Sequence, residues 1–77
     1  MRSQTERVIP YLKAWRLKRS LTQLQLAVNA DVGQQTVIRI EKGAKASEQT
    51  ILKLAKALEI SETQLLESDP EKELAAA

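Results

Sequence analysis

The sequence predicts an all-α domain, a compact bundle of five helices, and three observations carry that expectation. Apolar residues recur at three- and four-residue spacing, with no alternating run that would signal a strand. Thr22, Ser47 and Ser61 each stand directly ahead of such a stretch, where a side-chain oxygen can accept from the open N–H groups of a helix start. The two glycines and two prolines fall at the ends of these stretches rather than inside them. With 77 residues the chain holds one unit. At that size it buries only about 60–65% of the surface its unfolded form exposes. Residues 1–8 read as an N-terminal arm, 9–67 as the domain and 68–77 as an acidic, frayed tail.

The first helix is expected from Ile9 to Arg19, with Pro10 in its opening turn, where a missing N–H costs nothing. Val8, Leu12 and Trp15 make its apolar stripe, and Trp15 is read as a packing residue. Lys18 and Arg19 suit its negative C-terminal end; a solvated role and an approach to a phosphate backbone both fit them. Thr22 caps a second helix, Gln23 to Ala30, which turns Leu26 and Ala27 inward. Asp31-Val32-Gly33 breaks the chain, with Val32 as a plug toward the core. Gln34 to Lys42 forms the third helix, anchored by Val37 and Ile40 and ended by Gly43 in a left-handed conformation. Ser47 opens the fourth, Glu48 to Glu59, with Ile51, Leu52, Leu54, Ala55 and Leu58 as its stripe. Ser61-Glu62-Thr63-Gln64 is a capping-box sequence for a fifth that runs through Leu65 and Leu66 to Glu67.

Composition narrows the chemistry. Without Cys or His the chain has no disulfide, no ordinary zinc site and no Cys–His or Ser–His catalytic pair. Its acids are scattered over helical faces and the tail instead of being paired for acid–base work, so neither an enzyme nor a bound cofactor or metal is expected. No apolar run reaches the ~18–20 residues that cross a bilayer, and the start lacks a signal peptide's apolar stretch, so a cytoplasmic protein is expected. Charge is divided unevenly. Residues 1–45 carry nine Lys/Arg against three Asp/Glu, a net of +6, and residues 46–77 a net of −4. A basic first half suits a polyanion such as nucleic acid or a membrane surface, and equally a solvated face with an acidic tail.

The second and third helices, joined by a three-residue break, make a helix-turn-helix. Packing alone accounts for many such corners, so the composition of the third helix carries the argument. Val37 and Ile40 face inward while Gln34, Gln35, Ile38 and Arg39 line the other side. Glutamine can bond adenine through two hydrogen bonds, arginine can do the same to guanine, and an aliphatic chain can pack on a thymine methyl.

These residues resemble a known family. Leu21-Thr22-Gln23-Leu24-Gln25-Leu26-Ala27, Val32, Thr36-Val37-Ile38-Arg39-Ile40-Glu41-Lys42-Gly43 and Leu52-Lys53-Leu54-Ala55-Lys56-Ala57-Leu58 are similar to the helix-turn-helix domain of lambdoid phage repressors, Cro proteins and XRE-like bacterial regulators. The likeness covers roughly Leu12 to Leu66. It implies a five-helix domain of the phage-repressor type that binds double-stranded DNA, reading bases with Gln34, Gln35, Ile38 and Arg39. It assigns phosphates to Thr22, Gln23, Lys42, the Gly43 N–H and Lys45, and sets Gln23 beside Gln34. Arg16 and Glu41 match a pair that forms a partly buried salt bridge between the first and third helices. One such module buries only ~600–1,000 Å² on DNA, so a homodimer on a pseudo-palindromic operator is expected, most simply as a repressor. The resemblance points to the fifth helix and the preceding loop as the dimer surface, with Leu65 and Leu66 divided between core and interface; Leu17, Leu24 and Val28 offer a rival surface.

The departures carry information too. Asp31 stands where the family turn opens on Gly, adding some strain and a negative charge near the DNA side. Glu59 replaces the Gly expected after the fourth helix, so that helix is expected to end less cleanly. Leu17, Leu24 and Val28 occupy places the family gives to polar residues. They make either a thicker core or a surface for a partner. The second outcome belongs to a rival reading, a protein-interaction module such as an antitoxin or adaptor.

Overall fold

The computed structural model describes residues 6–72 and orders them as β1 (Arg7–Val8), α1 (Leu12–Lys18), α2 (Gln23–Ala30), α3 (Gln34–Glu41), β2 (Lys45–Ala46), α4 (Glu48–Leu58) and α5 (Glu62–Glu67). The all-α expectation holds apart from one detail. β1 and β2 pair antiparallel, Arg7 opposite Ala46 and Val8 opposite Lys45. Two residues are too few for any alternation to show in a sequence.

The core is a single cluster. Leu12, Leu26, Val37, Leu54, Leu58 and Leu65 are all fully buried in it, so every helix contributes at least one side chain. The three N-caps act as their residue types dictate: Thr22, Ser47 and Ser61 accept from Gln25, Thr50 and Gln64 N–H groups, and at Thr22 and Ser61 the cap's own N–H donates in return to the glutamine Oε1. Two sequence expectations need correction, and one alternative left open is decided. The first helix begins at Leu12, not Ile9, and Val8 sits exposed in β1 instead of on its stripe. Leu52 is half-exposed, because its neighbours Ile51 and Leu54 take the inward positions of α4. Leu17, Leu24 and Val28 are 56%, 53% and 69% exposed, so they do not thicken the core.

The packed body also runs past Glu67. Trp15 is buried, and its indole N–H donates to the Ser68 carbonyl at 3.0 Å. Pro70 is buried as well, and residues 70–72 are helical. Most of the tail expected to fray, 73–77, lies outside the described residues.

The four longer helices end alike. At the end of α4 the Glu59 N–H bonds the Lys56 carbonyl and the Ile60 N–H reaches back to Ala55. The same pair of bonds recurs at Ser20–Leu21, Asp31–Val32 and Gly43–Ala44. In each case the first residue has positive φ, at 61°, 60°, 58° and 108° for Glu59, Ser20, Asp31 and Gly43. This is the closing motif that usually employs glycine. Glu59 therefore ends its helix cleanly, against expectation, but from a strained backbone and with a negative charge at the negative helix end. The Arg19 Nε, donating to the Leu58 carbonyl at 2.8 Å, compensates in part. Because both faults lie on one residue, Glu59→Gly is expected to stabilise the fold by about 1 kcal/mol, read as a higher urea midpoint at unchanged slope.

Candidate nucleic-acid interface

α3 is held from one side and open on the other. Val37 and Ile40 are 0% and 3% exposed, whereas Gln34, Gln35 and Arg39 are exposed and Ile38 is half-buried. At about 100° per residue, Gln34, Ile38, Lys42, Gln35 and Arg39 follow one another around an arc of roughly 140°. Two amides, an aliphatic chain and two cations thus share one flank. Gly33 caps the helix in an extended conformation with no side chain over the first turn.

The phosphate candidates lie at the two ends of this pair of helices. Thr22 and Gln23 open α2; the Thr22 hydroxyl accepts from the Gln25 N–H and keeps its own O–H as a donor. Lys42 and Gly43 close α3, and Lys45 lies exposed in β2. Arg39 and Lys42 set two positive charges on the α3 flank, and Lys45 follows in β2. Lys18 and Arg19 are engaged elsewhere. The Lys18 ammonium lies 5.3 Å from the centre of the Trp15 ring, and the Arg19 Nε donates to the end of α4.

Beneath the surface, one carboxylate gathers three donors. The Arg16 Nε donates to Glu41 Oε2 at 2.6 Å and its Nη2 to Oε1 at 3.3 Å, while Nη1 donates to the Leu21 carbonyl at 2.8 Å. The Gln23 Nε2 donates to Glu41 Oε1 at 3.0 Å. Both charged side chains are nearly buried, at 9% and 6% exposure. One N–H of the Gln23 amide is thus given to Glu41. Since an ionised carboxylate only accepts, the amide nitrogen must face it. The chain offered no signal for this contact, because Gln23 and Glu41 are 18 residues apart on different helices.

Leu65 is fully buried and Leu66 half-buried, so of that pair only Leu66 reaches the surface. Among the described residues no group of Asp and Glu could hold a metal ion, and no helix is long and apolar enough to cross a membrane.

An ion pair this dry is costly to halve. Arg16→Met alone should lower stability by about 3–5 kcal/mol, because Glu41 is left without its cation. Arg16→Met combined with Glu41→Leu should recover most of that loss, as paired apolar residues can replace a buried ion pair at little cost. Urea unfolding of the two variants checks both values.

Comparison with known proteins agrees with this geometry. No curated protein and no solved structure matches the chain. The family of helix-turn-helix regulators of the XRE type matches residues 12–65, from the start of α1 to the buried Leu65 of α5. That span is more than half of the chain and contains the helix pair, the buried ion pair and the open flank of α3. The chain belongs to the XRE-like helix-turn-helix family of DNA-binding regulators.

Proposed function

We propose that the protein is a sequence-specific regulator of transcription, a repressor that reads the major groove of double-stranded DNA with α3. The observation that carries this is the division of α3: Val37 and Ile40 are buried while Gln34, Gln35 and Arg39 remain exposed on the opposite flank. A purely solvated helix more often carries Glu and Lys in such places. In the groove the two adjacent amides bond base edges, Arg39 takes a guanine and Ile38 packs on a thymine methyl. α2 crosses the backbone, and Thr22, Gln23, Lys42, Gly43 and Lys45 grip phosphates that supply most of the affinity. Repression follows from occupancy alone, since a bound domain excludes other proteins from the same stretch of promoter.

One module buries only ~600–1,000 Å² on DNA, which favours two copies on one site. We place them on a pseudo-palindrome with half-sites about 34 Å apart, one helical turn. The half-buried Leu66 on α5 supplies the surface between the copies. A second reading, an adaptor or antitoxin that docks a protein, is favoured by the exposure of Leu17, Leu24 and Val28. Co-purification with a partner, together with no binding to any duplex, would support it over DNA reading.

A random-duplex selection with the purified chain at two salt concentrations tests the proposal and reports site, symmetry and spacing together. On the selected duplex, Gln35→Ala should weaken binding by about 1–3 kcal/mol and relax preference at one or two positions. An unchanged base profile would remove Gln35 from the reading set. Lys42→Ala should weaken all sequences alike and reduce the slope of log affinity against log salt by about 1. A loss confined to one base pair would contradict its phosphate role.

A further inference from the structure

We infer that Glu41 is a positioning residue for DNA binding: its carboxylate yokes the two phosphate grips of the domain and sets the distance between them. The inference rests on the DNA-reading proposal and goes beyond it, because it concerns how two separate contacts become one. Gln23 and Thr22 belong to the start of α2, and Lys42 follows Glu41 directly in the chain. The Gln23 Nε2–Glu41 Oε1 bond at 3.0 Å therefore ties the first grip to the residue directly ahead of the second. Arg16 holds the arrangement from below, with two bonds to Glu41 and a third, at 2.8 Å, to the carbonyl of Leu21 just ahead of the Thr22 cap.

The consequences are chemical as well as geometric. With Nε2 turned to Glu41, the Gln23 amide has one N–H left to offer a phosphate, and its plane is set before DNA arrives. Since the bond joins α2 to the end of α3, any movement of one grip is felt at the other. Buried charge makes this spacing stiff, because separating the partners leaves an ion without compensation.

A double-mutant cycle on the selected duplex is the test. Gln23→Met keeps the length of the side chain and removes the amide, so the unfolding midpoint should fall modestly, because Glu41 loses one donor but keeps Arg16, while DNA affinity falls roughly tenfold. Lys42→Ala removes the second grip. If Glu41 yokes them, the double variant loses less than the product of the single losses, by roughly threefold or more. Losses that multiply overturn the inference. In the Arg16→Met/Glu41→Leu background the losses from Gln23→Met and Lys42→Ala should multiply, since the link between them is gone; coupling that persists there also overturns it. If that background does not fold, the first cycle decides alone. A native chain that enriches no duplex removes the DNA-reading proposal itself, whereas enrichment with multiplying losses removes only the role of Glu41.

Discussion

Burial of Val37 and Ile40 is the constraint on which the interface depends. Each side chain contributes about 1.5–3 kcal/mol by leaving water, and the two lie on one side of an eight-residue helix. An eight-residue helix would not persist in water alone. Once these two positions are taken by the core, the rotation of α3 is fixed, and with it the direction in which Gln34, Gln35 and Arg39 leave the surface. Long polar side chains gain recognition value only when their helix cannot roll. Two branched aliphatics supply that restraint without spending any of the polar groups.

The ion pair complements this packing. Apolar contacts set how deep α3 sits but restrain sliding along its axis weakly. The Arg16–Glu41 bonds and the Gln23 amide add directional links among α1, α2 and α3 at atoms that cannot be left unpaired. The closing motifs work at a third level. By turning sharply at Ser20, Asp31, Gly43 and Glu59, the chain packs four helices with short connections, and Leu21, Val32 and Ile60 drop back against the core immediately after the turn. Three of these turns use residues with a Cβ, at a cost in backbone strain that glycine would avoid.

Much of this was legible in the chain. Capping side chains act on neighbours three residues away, so the starts of α2, α4 and α5 could be placed from Thr22, Ser47 and Ser61. The inward and outward flanks of α3 followed from periodicity, and the Arg16–Glu41 pair from resemblance. Contacts set by tertiary approach could not be read. The bond from Trp15 to Ser68 spans 53 residues, and that from Arg19 to Leu58 spans 39. Neither side chain differs from a solvated or merely packed one until the fold brings its acceptor within reach. Leu52 shows the limit of periodicity: a helix stripe drawn from composition is wider than the contact a small core can offer. Exposure of Leu17, Leu24 and Val28 was likewise undecidable until the positions of α1 and α2 were known.

The claim that the polar flank of α3 meets base edges is tested most directly by the side-chain NH2 resonances of Gln34 and Gln35 in a ¹⁵N-labelled chain titrated with its selected duplex. Both pairs should shift strongly and in step with DNA added, together with the Arg39 Nε signal. Shifts that leave these amides unmoved and gather around Leu17, Leu24 and Val28 would contradict the account.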